Sequence, residues 1–181
     1  MLFWRRIKNN KIVIIETARL IIRPLTYDQI IKYIASDNSL EKELQVGPSN
    51  RTISPDLKEA FEHTILPNVA DPSKNYLYST LWTIIAKEEN KMVGDLCFVG
   101  EPNGAGEIEI GYGTYDEFQK KGFMTEAVSA MIKWAAEQPH VNTVLANTEK
   151  TNPASFAVLQ KNGFVKYDED ETLYKWKISV K

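Results

Sequence analysis

The chain of 181 residues is long enough for one well-buried core and short for two domains, and its 43% hydrophobic and 25% charged residues are typical of globular proteins. The formal net charge of −2 argues against a nucleic-acid partner, because a protein that neutralises phosphates is usually clearly basic. A single cysteine, Cys97, excludes an internal disulfide. With two histidines besides, the chain has too few nitrogen and sulfur ligands for a structural zinc site, so we expect no metal.

The N-terminal stretch MLFWRRIKNNKIVII has only short apolar pieces that are broken by charge. A signal peptide needs an apolar run of about 7–15 residues, and a membrane span needs about 20. We therefore expect a protein without a membrane partner in the reducing cytoplasm, with residues 1–15 as an N-terminal extension and residues 16–181 as the domain. Surface attachment through Phe3, Trp4 and the Arg5–Arg6 pair is the alternative role of the extension.

The first half of the chain is predicted to begin with one strand and two helices. Thr26 and Ser54 are suitable N-caps, and Pro55 falls at the first helical position. The predicted elements are a strand over residues 19–25, a helix over 26–36, a polar loop over 37–51, a helix over 54–66 and a turn-rich loop over 67–75.

The second half alternates strands and helices. The predicted elements are strands over residues 76–86, 92–100 and 107–115, a helix over 122–138, a strand over 141–148, a helix over 152–162 and a closing hairpin over 163–179. This order predicts a single mixed α/β (α+β) domain, in which a largely antiparallel central sheet has helices on both faces.

The stretch QKKGFM, residues 119–124, is a polar loop that leads directly into the predicted helix 122–138. The first turn of a helix has amide groups without helical partners, and such a turn binds anions. Gly122 lacks a Cβ and so allows close approach, while Lys120 and Lys121 add positive charge. The alternative is an ordinary turn with solvated lysines.

Two neighbouring features strengthen the anion-site hypothesis. Gly111 and Gly113 lie inside the preceding strand, where glycines mark either a ligand against the backbone or a twisted strand corner. Asn152 and Ser155 begin the next helix, at the same end of the predicted sheet. Simple N-capping by Asn152 is the alternative reading of that position.

QKKGFM, together with TARLIIRPLT (17–26), EIGY (109–112), GFMTEA (122–127) and NPASFAVLQKNGF (152–164), resembles the GNAT acetyltransferases. Within that family it is most similar to the RimJ/RimL-type branch, the ribosomal-protein N-terminal acetyltransferases and their relatives. The resemblance extends from about residue 16 to residue 177. It implies acetyl-CoA as acetyl donor and a primary amine as acceptor, and it suggests a homodimer.

The resemblance also implies roles for individual residues. Gly111, Tyr112 and Gly113 would lie along the pantetheine, and Asn152 would bond to that arm. The pyrophosphate would be bound by the loop residues Gln119, Lys120, Lys121, Gly122, Phe123, Met124 and Thr125. Leu159 departs from the family, since many members have a tyrosine there that protonates the leaving thiolate. Ser155 or water is the expected substitute.

Attack on the thioester requires a neutral amine. An α-amino group, with a pKa of about 7.7–8.0, loses its proton far more easily than a lysine side chain at about 10.4. Glu109 shares a strand face with Glu107 and is the candidate proton acceptor, although a solvated or lysine-paired carboxylate is the simpler reading. Backbone amides near Tyr112 would stabilise the oxyanion. Cys97 is predicted to be an inert strand thiol rather than a nucleophile.

The sequence therefore predicts an N-acetyltransferase that acts on a protein or peptide N-terminal α-amine. One alternative is acetylation of a small amine such as a polyamine, an amino acid or an antibiotic. Another is a CoA-binding module without catalysis, which the missing tyrosine at Leu159 allows. We expect the loops over residues 37–51 and 67–75 to form the acceptor wall.

Overall fold

The computed structural model describes residues 13–181, so the attachment residues Phe3, Trp4, Arg5 and Arg6 lie outside the described part of the chain. The described strands form one eight-stranded sheet with the order β1-β2-β3-β4-β5-β6-β8-β7. They are β1 Ile15–Glu16, β2 Leu20–Pro24, β3 Leu81–Ala86, β4 Lys91–Phe98, β5 Glu107–Thr114, β6 Thr143–Glu149, β7 Val165–Glu169 and β8 Leu173–Ser179. β1 begins one residue before the predicted domain boundary, and Ile15 is buried.

Helices cover both faces of this sheet, as predicted. They are α1 Tyr27–Ala35, α2 Ser39–Leu44, α3 Pro55–Ala60, α4 Leu66–Ala70, α5 Phe123–Ala136 and α6 Pro153–Lys161. One apolar core includes Trp82 of β3 and Trp134 of α5, whose rings meet edge to face. A second core includes Tyr33 of α1 and Phe61, which follows α3. The predicted mixed α/β domain is confirmed.

The helix starts follow the predicted capping. The Thr26 hydroxyl accepts a hydrogen bond from the Gln29 backbone amide, and the Gln29 side-chain oxygen accepts one from the Thr26 backbone amide, which completes a capping box. Ser54 accepts a hydrogen bond from the Leu57 amide, with Pro55 in the first turn of α3. These local signals therefore fix where α1 and α3 begin.

Three predicted boundaries were wrong. The stretch over residues 37–51 contains α2, which is short and is stabilised by buried Leu40 and by an ion pair between Glu41 and Arg51. The helix after Ser54 continues to residue 70, because a π-helical turn over Phe61–Ile65 leads into α4 and places Pro67 in the first turn, where no amide is needed. The next strand begins only at residue 81, after a 3₁₀ turn over Tyr76–Tyr78.

The sheet splits between β5 and β6. These two strands are parallel and pair only from Glu107↔Thr143 to Glu109↔Leu145, whereas the other neighbouring strands are antiparallel. From Ile110 to Thr114, β5 pairs with β4 alone, and β6 continues against β8. The second half of β5 therefore has one backbone edge that no described strand covers, at the carboxyl end of the strand.

Candidate active site

The uncovered edge of β5 leads into the loop that precedes α5. A 3₁₀ turn over Asp116–Phe118 is followed by Lys120 and Gly122, which have φ values of 61° and 78° in the left-handed region. Gly122 is the N-cap of α5, no side chain caps the helix, and the first helical hydrogen bond runs from the Glu126 amide to the Gly122 carbonyl at 3.2 Å. The first-turn amides, which are those of Phe123, Met124 and Thr125, therefore have no helical partner and can donate to an anion.

The side chains of this loop have other roles. The Gln119 amide group donates to Asp116 Oδ1 at 2.9 Å, and the Lys121 ammonium lies 4.8 Å from the centre of the Phe118 ring. Lys120 is exposed. Phe123 and Met124 are buried and anchor the first turn of α5 in the core. The groups of this loop that remain available to an anion are thus mainly its backbone amides, with the lysines nearby.

Arg19, which lies between β1 and β2, contacts the same loop. Its Nη1 donates to the Lys121 carbonyl at 3.0 Å, its Nε donates to Glu126 at 2.6 Å, and its guanidinium lies 4.9 Å from the centre of the Phe123 ring. Sequence reasoning assigned no role to Arg19 or Glu126. The available signal was that they occur in the two quoted stretches TARLIIRPLT and GFMTEA.

Gly111 and Gly113 provide space beside the split rather than unusual backbone angles, because neither has a positive φ. A Cβ at Gly113 would meet no atom within 4 Å, and one at Gly111 would meet the Cys97 sulfur at 3.7 Å. This face of β5 is consequently open at Gly113, where an extended ligand can lie along the strand.

The N-terminus of α6 lies across the split from β5. Asn152 caps α6 by accepting a hydrogen bond from the Ser155 amide at 3.0 Å. The Tyr112 hydroxyl lies 2.8 Å from Ser155 Oγ and also donates to the Ser155 carbonyl at 3.2 Å. Burial raises the pKa of Tyr112 to about 12, against the hydrogen bond with Ser155. Leu159, further along α6, is fully buried in the core.

The two strand glutamates have different partners. Glu107, the first residue of β5, accepts a hydrogen bond from the Asn103 side chain at 2.9 Å and so contacts the turn between β4 and β5. Glu109 accepts one from the Asn147 side chain, also at 2.9 Å, and so lies where the β5–β6 ladder ends. Glu109 is half-buried and stands beside the split.

A cavity of about 390 Å³ lies between the sheet and the helices on the α1 side. Its lining includes Tyr33 of α1, Asn50 and Thr52 of the following loop, Asp95 of β4 and Gly113 of β5. Of the two segments predicted as the acceptor wall, residues 37–51 contribute Asn50, whereas residues 67–75 are not among the lining residues. The cavity therefore adjoins the open glycine position of β5.

Asp95 is a buried carboxylate in the lining of this cavity, with 7% of its surface exposed. Its Oδ2 accepts hydrogen bonds from the hydroxyls of Tyr33 and Tyr115, each at 2.7 Å, whereas its Oδ1 has no partner among the described residues. Burial raises the pKa of Asp95 to about 6, although the two tyrosines oppose this. Thr83 faces Asp95 across β3 and β4 and also lowers that pKa, but no hydrogen bond of normal geometry joins the two side chains.

A buried ion pair holds one of these tyrosines in place. Arg51 forms an ion pair with Glu41, donates to the Tyr33 carbonyl at 3.1 Å and stacks 4.5 Å from the centre of the Tyr33 ring. Cys97 also lines the cavity, and burial together with Asp95 raises the pKa of its thiol to about 11. The thiol is thus protonated at neutral pH, which fits its predicted lack of a nucleophilic role.

Comparison with known proteins decides the family. A family model described as an acetyltransferase (GNAT) domain matches residues 19–165 of the chain. This chain belongs to the GNAT acetyltransferase family. The resemblance inferred from the sequence motifs is confirmed, and the GNAT chain is an acyltransferase.

Relatives and solved structures agree with this family. The GNAT chain is 29% identical over 156 residues to an uncharacterized N-acetyltransferase of Bacillus subtilis, YjdG, a match that covers 84% of the chain and 90% of the relative. Its fold matches RimL, a ribosomal L7/L12 alpha-N-protein acetyltransferase in complex with coenzyme A, with a TM-score of 0.66 and 17% identity over 92% of this chain and 97% of the other. It also matches the spermidine N-acetyltransferase of Vibrio cholerae, with a TM-score of 0.60 and 13% identity over 90% and 96%.

Neither a metal centre nor a membrane span is found in the described part of the GNAT chain. No three His, Cys, Asp or Glu side chains that the structure describes are grouped to hold a metal ion. None of the helices described above has both the length and the apolar character that crossing a bilayer requires.

Proposed function

We propose that the GNAT domain over residues 16–181 transfers the acetyl group of acetyl-CoA to a primary amine, with a protein or peptide N-terminal α-amine as the preferred acceptor. The observation that carries this proposal is the split between β5 and β6, which leads to the uncapped first turn of α5. An open strand edge and an anion-binding helix end, joined by one short loop, suit a ligand with an extended amide arm and a pyrophosphate.

The residues present fit acetyl-CoA. Gly111, Tyr112 and Gly113 would pair with the amide groups of the pantetheine, and the side-chain amide of Asn152 would add a contact from α6. The pyrophosphate would be bound at the loop that contains Gln119, Lys120, Lys121, Gly122, Phe123, Met124 and Thr125. Bound there, acetyl-CoA supplies an activated acetyl carbonyl.

Three parts of the chain then serve the chemistry. Backbone amides near Tyr112 polarise the acetyl carbonyl in the way of an oxyanion hole. Ser155, hydrogen-bonded to Tyr112, donates a proton to the departing sulfur. Glu109 accepts a proton from the attacking nitrogen, directly or through water, with its orientation set by Asn147. The roles of Ser155 and Glu109 are supported by where these residues lie in the fold, on either side of the split between β5 and β6.

The choice of an α-amine acceptor rests on proton affinity. The amine must lose a proton before it attacks, and this costs far less for an α-amine than for a lysine side chain. The fold is shared with an acetyltransferase of a protein α-amine and with an acetyltransferase of spermidine, so acetylation of a small amine is the second candidate. A domain that binds CoA without catalysis is the third.

A panel of acceptors separates these candidates. Thiol release from acetyl-CoA would be followed with short peptides that begin with serine or alanine, with the same peptides acetylated at the N-terminus, and with spermidine and free lysine. We expect release, and a mass increase of the acceptor, with free peptides and not with blocked ones. Turnover with spermidine alone would overturn the preferred acceptor. Binding of acetyl-CoA without thiol release for any acceptor would overturn the enzyme assignment.

A further inference from the structure

One face of the sheet is open to solvent in the C-terminal half of the domain. Along β6 and β8, Val144, Ala146 and Trp176 are buried in the core that contains α5. The residues that alternate with them point to the opposite face, where Leu145 is half-buried and Lys177 is exposed. The helices of that side, α1 and α2, pack with β3 and β4 instead. The described chain therefore leaves this side of β6, β8 and β7 without a covering element.

Five residues form a row across this open face. Val99 follows β4, and its amide donates to the carbonyl of Glu109 in β5 at 2.9 Å. Glu109 is opposite Leu145 of β6, and Leu145 is opposite Lys177 of β8. Lys177 is in turn opposite Val165 of β7. Opposite residues in neighbouring strands have their side chains on the same face, so the row reads valine, glutamate, leucine, lysine, valine.

The ends of the row are apolar and exposed. Val99 is 61% exposed and Val165 is 58% exposed. Tyr167, whose ring centre lies 5.0 Å from the Lys177 ammonium, is 45% exposed beside Val165. These are three of the five large hydrophobic side chains that the described chain exposes. Exposed apolar side chains that are grouped in this way mark an interaction surface.

The two charges inside the row lack opposite charges in their own chain. Neither Glu109 nor Lys177 takes part in an ion pair with a described residue, although Glu109 accepts a hydrogen bond from Asn147. The two charges lie on either side of Leu145, two strands apart, which is about 10 Å at the usual strand spacing. A partner that fits the row must therefore bring a cation to Glu109 and an anion to Lys177.

A second copy of the same row meets this requirement. A two-fold axis along β6, through Leu145, exchanges the two sides of the row. Glu109 then faces the partner's Lys177, and Lys177 faces the partner's Glu109. At the ends of the row, Val99 faces the partner's Val165. A two-fold axis across the strands would instead place each charge against its own copy, so the order of the charges selects the axis along β6.

We propose that the open face binds a second copy of this chain, in a pair of face-to-face sheets related by that axis. Aligned sheets pack about 10 Å apart with their strands within about 30° of each other, and the long side chains of Glu109 and Lys177 bridge this gap. Glu149, four residues beyond Leu145, would face its own copy, but strands that cross at about 30° are roughly 7 Å apart at that distance.

The size of the face predicts a weak dimer. Five strands about 4.8 Å apart, each contributing about five residues at about 3.3 Å per residue, give a patch of roughly 400 Å² on each copy. Two such patches are at the lower end of the size range of specific interfaces. We therefore expect a dissociation constant in the micromolar range, and a dimer that dissociates on dilution.

The pairing is compatible with the proposed chemistry. No residue of the row lines the cavity on the α1 side. Glu109 keeps its hydrogen bond from Asn147, and the partner's Lys177 favours the ionised form of the carboxylate, which a proton acceptor needs. Association is measured without acetyl-CoA, so its outcome does not depend on the proposed acetyl transfer.

Sedimentation velocity of the full chain, from about 1 to about 200 μM, measures the association. Wild type should pass from monomer to dimer in this range. Glu109→Lys and Lys177→Glu should each weaken the dimer at least about 10-fold, because both charged contacts then join like charges. Lys133→Glu is the matched control, since it reverses an exposed charge on α5, which covers the other face of the sheet.

An equimolar mixture of Glu109→Lys and Lys177→Glu tests the two-fold arrangement directly. In a mixed dimer the two new side chains face each other and the two native ones face each other, so both contacts join opposite charges again. The mixture should therefore associate almost as strongly as wild type, whereas each variant alone stays monomeric. A monomeric wild type, single variants that dimerise as wild type does, or a mixture that stays monomeric would each overturn the pairing. So would an equal loss in Lys133→Glu.

Val165→Asp gives a second reading if either charge variant fails to fold, which circular dichroism would show. Val165 is 58% exposed, so the change should leave the fold intact and place a charge against the partner's Val99. Burying that charge in the interface should weaken the dimer by about 10-fold. Dimerisation of the folded Val165→Asp variant at wild-type strength would overturn the pairing.

Discussion

Glu126 accepts two hydrogen bonds from Arg19, one from the backbone amide at 3.0 Å and one from the guanidinium Nε at 2.6 Å. The Thr17 hydroxyl adds a third at 2.6 Å. Although burial favours the neutral acid, these three bonds hold the pKa of Glu126 below its ordinary value. Since Arg19 also bonds to the Lys121 carbonyl, it fixes the chain on both sides of Gly122. The segment between β1 and β2 thus sets the shape of the loop before α5.

Arg19→Gln is expected to weaken acetyl-CoA binding by about 10-fold, because the backbone amides of the loop lose their fixed direction. The change should leave the fold intact, since Arg19 is half exposed. Calorimetric titration of acetyl-CoA measures the effect. Lys87→Gln is the control, because Lys87 is a cation near the same segment that bonds to Glu16 and to the Thr17 carbonyl. An equal loss of acetyl-CoA affinity in both variants would mean that affinity depends on the positive charge of this segment rather than on the geometry of the loop.

Gly122→Val should abolish or strongly weaken acetyl-CoA binding. Gly122 has a φ of 78°, which a β-branched residue rarely adopts, and its Cβ would lie 3.5 Å from Arg19 Nη2. The strain, on the order of 1–3 kcal/mol, would also lower thermal stability. Gly104→Val is the matched control, because a side chain there meets open space and no positive φ is required. Undiminished affinity in Gly122→Val would remove the loop from the donor site.

The local patterns of the sequence were sufficient for most of the fold. The capping residues Thr26 and Ser54, the strand glycines and the loop before α5 are all encoded within a few neighbouring residues, and the structure places them as predicted. The short helix α2 was missed because buried Leu40 and the ion pair of Glu41 stabilise it, and neither is a local signal.

The parts of the site that could not be predicted depend on pairs that are far apart in the chain. Asp95 meets Tyr33 across 62 positions, and Arg19 meets Glu126 across 107. A pattern within one strand or helix contains no information about such a partner. In the sequence, Asp95 is one polar residue in an apolar strand, and only the folded chain shows that the hydroxyls of Tyr33 and Tyr115 hold one of its oxygens.

Ser155→Ala and Tyr112→Phe test the proposed proton donor. Because the two hydroxyls lie 2.8 Å apart and burial keeps Tyr112 protonated, we expect them to act as one unit. Each single change should lower kcat by about 10- to 100-fold with little effect on acetyl-CoA affinity, and the double change should cost little more than either. Additive losses would indicate independent roles. An unchanged kcat in Ser155→Ala would leave water as the donor.

The pH dependence of stability gives a test of Asp95 that needs no substrate. Its pKa is raised in the folded protein from the ordinary 3.8 to about 6, so the folded state binds this proton more tightly than the unfolded chain. The stabilisation is therefore complete below about pH 4 and is lost as the pH rises through about 6. Asp95→Asn has no carboxylate at this position and so lacks this loss. Relative to wild type, its free energy of unfolding should therefore be higher at about pH 7.5 than at about pH 5, by about 1 kcal/mol.

Urea unfolding of both proteins at the two pH values measures this difference, and the other titrating groups cancel because they are common to both. Cys97→Ala is the control, since it changes the same cavity but its thiol, with a pKa raised to about 11, does not ionise in this range. The difference between Cys97→Ala and wild type should be flat with pH. A flat difference for Asp95→Asn as well would mean that the carboxylate is already ionised at pH 5, and that burial does not raise the pKa of Asp95 to about 6.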